Sequence, residues 1–367
     1  MHKLILAIAG IVFIPALVSC TGNKDRVYFD GPIVIVDMPE QTESLRGIEL
    51  SMDGLFTGEM AVYDTLIFFC SLKYSDYFVS VFNLNDYSHI RNFCMKGRGP
   101  DEFSALTSIY QFYWEKGELK TILYDVNRKN LVICNISKVV TGDIDYIERN
   151  IPYVVDDNIS LNMVFRLDEE RSLARTFVRQ QDLSSDVPPT YLVRKFREDK
   201  EDDMFGFFKR HIVEGLGAAF GVTAGFQYIS MDNIQPSGDK LAAAMTMLAQ
   251  INIVDIRTKE KKGIRVQGTP NFDYLTVSTN TAVFYYTSAA VSDDFIYALW
   301  CNKVFDPTQG LVSTSGNIIH VFDWEGNFVK ILNLNQTVDQ IVVDEVTRTL
   351  YAKSNTDDIV FCYGKVE

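Results

Sequence analysis

Histidine is scarce in this chain, with four residues in 367. They are isolated, and no HxxxH or HxH pair exists to seed a metal site. Cysteine is scarce too: six are present, and no two stand in a CxxC spacing. No GK[ST] closes a glycine-rich loop, so a P-loop is excluded. No G-x-S-x-G elbow presents a serine, which leaves serine-hydrolase chemistry without a nucleophile. Positive charge is in the minority, and the net charge is −13. Such a balance repels phosphate instead of releasing its counterions, which excludes a nucleic-acid partner. The acidity is spread along the chain and reads as solubility.

Aromatic and β-branched residues are abundant. There are 25 Phe and 18 Tyr against 10 Pro, and Val/Ile runs recur, which favours strands. The start of the chain stands apart. A short basic beginning (His2, Lys3) precedes an apolar run from Leu4 to Val18. That run is too short and too early for a stable transmembrane helix, so residues 1–19 read as an export signal. Residues 20–26 are a polar tether, and 27–367 are long enough for one large domain. Besides Cys20, the cysteines are Cys70, Cys94, Cys134, Cys301 and Cys362, each among large apolar side chains. Buried free thiols are expected, although one disulfide stays open in an exported protein.

One stretch organises the rest. Ile318 to Val329 reads as a hairpin: an apolar strand, an Asp323-Trp324-Glu325-Gly326 turn and a return strand. Its Val321-Phe322-Asp323 core recurs as Val81-Phe82-Asn83, Ile133-Cys134-Asn135 and Ile253-Val254-Asp255. Weaker copies are Tyr191-Leu192-Val193-Arg194 and Val360-Phe361-Cys362. The spacing is roughly 40–70 residues, the range of propeller blades. Asn, Asp and Gly at the turns supply the positive φ of tight hairpins. Six copies predict an all-β, six-bladed β-propeller.

Two local expectations follow. Leu241 to Ala249 is rich in helix formers. It nevertheless follows a Ser237-Gly238 turn and leads into Ile251 to Asp255, so it is assigned to a strand buried on both faces. Only a few residues follow the Val360 strand, too few for a fourth strand in the last blade. The N-terminal strand, within residues 26–38, is therefore expected to close that blade and remove its open edge.

Two resemblances sharpen these readings. Leu17-Val18-Ser19-Cys20 resembles the lipobox of bacterial lipoproteins. It implies cleavage before Cys20, acylation of that residue and a stable membrane anchor. The chain would then be exported and held at a bacterial envelope membrane, taken here as the outer one. Gly97-Arg98-Gly99-Pro100-Asp101-Glu102-Phe103, with the lipobox and the Val321-Phe322-Asp323 ending, resembles the TolB-like six-bladed propeller lipoproteins of Bacteroidetes. The resemblance implies the fold and export. It implies no reaction. Residues of about 150–250 fit it poorly.

Candidate chemistry is thin. The Gly97 to Pro100 run opens no helix and is first a sharp blade-to-blade connection. Placed near the channel mouth, it offers Arg98, Asp101 and Glu102 as ligand-contact candidates. His320 alternates with Ile319 and Val321 on a strand and reads as structural. Asp125 and Asp344 are single candidates for a metal-dependent site in the channel. The charged run 197–203 lacks calcium-loop spacing. The glycine-rich stretch 215–226 either lets backbone approach a ligand or relaxes an irregular blade. Tyr110, Phe112, Tyr113 and Trp114 would line a sugar-binding mouth, although alternation puts at least half of them in the core. No metal site and no cofactor are expected, and the ring is read as a monomer. The leading expectation is a non-catalytic binding or scaffolding module that docks a protein or glycan. The alternative is a channel-centred lactonase, lyase or hydrolase-like enzyme.

Overall fold

A computed structural model describes residues 28–52, 56–155, 159–178, 190–196, 203–209, 228–270, 283–304, 314–356 and 358–366. The expected export signal, Cys20 and the expected tether, His211, residues 197–202 and the stretch 215–226 lie outside them. Six antiparallel sheets follow one another along the chain, each entered by its innermost strand. Blade one comprises Glu59–Tyr63, Leu66–Cys70, Tyr77–Asn83 and His89–Met95. Blade two comprises Phe112–Glu115, Glu118–Asp125, Asn130–Asn135 and Ile147–Pro152, with a helix at Ile136–Thr141. Blade three comprises Ile159–Arg166, Arg171–Val178, Tyr191–Lys195 and Asp203–Phe205. Blade four comprises Ser230–Ile234, Lys240–Met245, Gln250–Asp255 and Lys261–Val266. Blade five comprises Val283–Val291, Phe295–Val304, Gly316–Asp323 and Phe328–Val338. Blade six comprises Gln340–Val343, Thr349–Ser354 and Ile359–Lys365. Every one of the six repeated cores predicted from sequence lies in the third strand of its blade.

The strand sequences are near-continuous apolar runs because both faces of each blade are covered. In blade five, Ile319 and Val321 pack with residues of blade six, whereas Phe322 packs with residues of blade four. Each of the six blade-to-blade interfaces holds one apolar cluster. The alanine-rich segment is the second strand of blade four, as expected. Its small side chains serve both faces: Ala243 points to the blade-three cluster, Ala242 and Ala244 to the blade-five cluster. The strand is shorter than predicted, and residues 246–249 bend the chain toward Gln250. Helix propensity loses because a helix here would leave the neighbouring strand ladders unpaired.

The N-terminal segment closes the last blade, but not with the residues expected. Ile48–Glu49 pairs antiparallel with Phe361 and Cys362 as the fourth strand of blade six. The earlier strand, Ile33–Val36, instead lies parallel to Gly263–Val266 on the outer edge of blade four. Thr42–Leu45 lies parallel to Ile331–Leu334 on blade five. The segment is thus a belt that covers three outer edges in turn. The β-branched run Ile33-Val34-Ile35-Val36 shows a strand but not its partner. Ion pairs fasten the belt at these edges: Asp30 meets Lys261 at 2.5 Å, and Glu43 meets the buried Lys330 at 3.1 Å. At Gly47 the belt crosses the Tyr363 ring, where a Cβ would lie 2.7 Å from the ring carbon Cζ.

The five described cysteines are free thiols, and all but Cys362 are buried. Cys94 and Cys134 come within 3.9 Å between blades one and two. His320 is buried, stacked on Trp300 at 4.7 Å and bonded to the Tyr286 hydroxyl at 3.2 Å. Burial drives its imidazole down to about 3, so it is neutral and structural. Among the described residues no helix is long and apolar enough to cross a membrane.

Candidate functional site

The innermost strands of all six blades enclose a cavity of about 550 Å³ on the ring axis. That volume falls within the roughly 300–1,000 Å³ of small-molecule sites. An inner strand has one unpaired backbone edge, and buried backbone groups need partners. Side chains of neighbouring blades supply some of them. Gln340 of blade six accepts from the Met60 amide at 2.8 Å and donates to the Met60 carbonyl at 3.0 Å in blade one. Gln111 makes the same double bond to Arg166, from blade two to blade three. Asn233 donates to the Ala289 carbonyl at 3.1 Å, and Ser288 accepts from the Ile341 amide at 3.1 Å. Arg175 of blade three meets Asp232 of blade four at 3.1 Å, with the Tyr191 and Ser230 hydroxyls on the same carboxylate. Trp114 of blade two donates its Nε1–H to the Tyr63 hydroxyl of blade one at 2.5 Å. A polar link therefore spans each of the six interfaces, and the channel wall is pre-organised.

The two ends differ. At the entry end of the inner strands, Glu59 lines the channel, and burial raises its carboxyl against the pull of Lys353. The Lys353 ammonium is fully buried and donates to the Phe56 carbonyl at 2.9 Å and to the Gly58 carbonyl. Desolvation lowers its affinity for a proton.

At the exit end every blade contributes to the rim, Tyr63, Trp114, Arg166, Pro236, Asp293 and Glu345 among them. Trp114 is 58% exposed, unusual for an indole, and its one polar atom is already committed to Tyr63. The Arg166 guanidinium lies 4.4 Å over the Tyr113 ring. Asp293 is bound to Arg348 at 2.7 Å. Burial, then the neighbouring Asp344 and Asp293 charges, push the Glu345 carboxyl up to about 7, against Arg348. Glu345 and Asp344 in turn help raise the Tyr63 phenol, after desolvation. The rim is thus aromatic across blades one and two and polar across blades three, five and six.

The sequence candidates are distributed unevenly. Arg98, Asp101 and Glu102 do not line the cavity. Glu102 folds back, accepts the Gly99 amide at 2.8 Å and occupies the space a side chain on Gly97 would need. Arg128 holds the same loop through the Gly97 and Gly99 carbonyls. Arg98 and Asp101 are exposed. Asp125 and Asp344 are fully buried turn caps. Asp125 accepts from Ser104, Asn127 and Arg128, and Asp344 from Asp64 and Thr347. Among the described residues no group of three His, Cys, Asp or Glu is placed to hold a metal ion. The aromatic run fares best. Tyr110, Phe112, Tyr113 and Trp114 all line the cavity, with Phe112 and Tyr113 buried. Glu345, Asp293 and Arg166 were missed. Each follows or ends an inner strand, and only knowing which strands are innermost reveals that shared position.

A family model described as TolB-like 6-blade propeller-like matches residues 236–346. No curated protein matches the chain significantly. Among solved structures, a member of the DUF4221 family from Bacteroides vulgatus ATCC 8482 is similar at 12% identity and TM-score 0.55. The similarity covers 89% of this chain and 94% of that one. A protein of Bacteroides fragilis NCTC 9343 described as exported is similar at 14% identity and TM-score 0.54, over 88% and 89% of the two chains. The matched segment runs from blade four into blade six, and the six sheets make the chain a six-bladed propeller.

Proposed function

We propose that this protein is a non-catalytic binding module, exported and anchored at the cell envelope through a lipid on Cys20, that takes its ligand at the axial channel. The observation that carries the reading is the exit rim, where side chains from every blade converge on a cavity with hydrogen-bonded walls. Such a site orients a ligand without large rearrangement. The lipobox residues support the envelope location, in keeping with the description of a Bacteroides fragilis structural neighbour as an exported protein.

The test uses the mature protein in detergent, screened for thermal stabilisation by a broad metabolite library. Ala289 lines the channel, so Ala289→Trp should plug it. A compound that stabilises the wild type but not the plugged variant, and is recovered unchanged, supports the reading. If nothing stabilises the wild type in a channel-dependent way, the reading fails. Cys20→Ala should release the protein from the membrane fraction, and continued retention would refute the anchor.

A second reading, a channel-centred enzyme, has one observation in its favour. Glu345 carries a carboxyl poised near neutrality at the rim, as a general acid or base requires. Chemical conversion of a bound compound, abolished by Glu345→Gln, would establish it.

A further inference from the structure

Building on the channel reading, we infer that the exit rim is a saccharide subsite, in which the apolar face of a neutral pyranose ring stacks on Trp114. Three features of the rim select this class. First, the indole of Trp114 borders the cavity and is largely exposed. Its N–H is held by Tyr63 at 2.5 Å, and Tyr63 is itself braced against Phe112 at 5.3 Å. A tryptophan that is 58% exposed yet tethered by its only polar atom offers a flat apolar platform in a fixed orientation. One face of a pyranose is a flat array of C–H groups and suits that platform.

Second, the remainder of the rim carries groups that both give and take hydrogen bonds. Glu345, with its carboxyl near neutrality, can donate as well as accept. Asp293 accepts, and Arg166 offers a planar fork of donors. Vicinal hydroxyls of a sugar match such a set through paired bonds.

Third, the charges are already answered within the protein. Asp293 is paired with Arg348, and Arg166 rests on the Tyr113 ring. A cationic ligand would therefore find the one carboxylate neutralised and an arginine in its path, although aromatic rims elsewhere hold quaternary ammonium groups. An anionic ligand would bring its charge beside the Asp293 carboxylate and the Glu345 carboxyl, with Arg348 already engaged by Asp293. The ligand left over is neutral and polyhydroxylated, and a cavity of about 550 Å³ admits more than a single ring.

The experiment titrates the mature protein in detergent with methyl glycosides of glucose, galactose, mannose and N-acetylglucosamine, and with short linear oligomers of each. Tetramethylammonium chloride is the cation control. The readout is intrinsic fluorescence, with calorimetry as the second measurement. Trp324 is buried and Trp300 is stacked on His320, so a change in emission reports chiefly on Trp114. At least one neutral pyranoside should bind saturably. Trp114→Ala should weaken it about tenfold or more, and Trp114→Phe, which keeps an aromatic face, about threefold or less. Tyr63→Phe should weaken it by an intermediate amount, because the indole loses its tether. Absence of binding by every saccharide, equal affinity in Trp114→Ala, or preferential binding of tetramethylammonium would overturn the inference. Should another compound stabilise the wild type but not Ala289→Trp, only the saccharide assignment falls. If no compound does, the channel reading falls with it.

Discussion

Replacing Glu345 by glutamine should stabilise this propeller in alkaline solution and do almost nothing in acid. Glu345 borders the channel rim. Burial and the charges of Asp344 and Asp293 raise its carboxyl from 4.5 to about 7, with Arg348 pulling the other way. A raised carboxyl means that the folded protein holds a proton which the unfolded chain has already released between pH 4.5 and 7. Wild-type stability must therefore fall as pH rises through that window. At about 1.36 kcal/mol per unit, the ceiling on the loss is ~3 kcal/mol. The side chain keeps some contact with solvent, and screening reduces the figure to ~1–2 kcal/mol. Glutamine has the same shape and cannot ionise, so Glu345→Gln should recover that amount at pH 8. The assay is the difference in Tm between variant and wild type at pH 4 and at pH 8. It should be near zero at the lower pH and about 2–4 °C at the higher. A difference that is equal at both pH values, or a variant less stable at pH 8, would refute the electrostatic account of the rim.

Other consequences are open to measurement. Gln340→Ala removes both hydrogen bonds that join blade six to Met60 of blade one, and should cost about 1–3 kcal/mol. Gln340→Glu, which keeps only the acceptor, should fall between the two, and denaturation midpoints would order them. Gly47→Val drives a branched side chain against the Tyr363 ring and should cost about 1–3 kcal/mol. An unchanged Tm would show that the belt is not seated there. The His320 imidazole, held neutral by burial, should show no NMR titration between pH 8 and pH 5. Because its proton affinity is lowered on folding, it contributes stability above about pH 6.5 that is lost as the pH falls toward 3. A His320 midpoint within that NMR range would contradict its buried placement.

The number of blades was legible in the sequence because each blade repeats one local pattern. A third strand such as Ile318 to Asp323 must be apolar on both faces and must end in a residue that turns the chain. Asn83, Asp255 and Asp323 do the latter by accepting backbone amides two to four residues on. Those are short-range requirements, so composition records them. The strand character of Leu241 to Met245 was legible for the same reason, once its flanking turns were weighed above propensity.

What the sequence alone did not decide was which residues meet. The β-branched belt strand Ile33–Val36 shows its strand character but not its edge. That edge lies on blade four, where Asp30 meets Lys261, and the next belt strand lies on blade five, where Glu43 meets Lys330, each partner more than two hundred residues away in sequence. The Gly97 to Phe103 loop looked like a place for a ligand because glycine, arginine and carboxylates lie together in it. Folding spends Glu102 and Arg128 on holding the loop itself. The rim that does face the cavity draws residues from each of six blades, from Tyr63 to Glu345. No local signal unites them, because circular closure of the ring alone makes the ends of six inner strands neighbours. Local patterning therefore determined the strands and their count, and long-range closure determined the channel and the chemistry at its mouth.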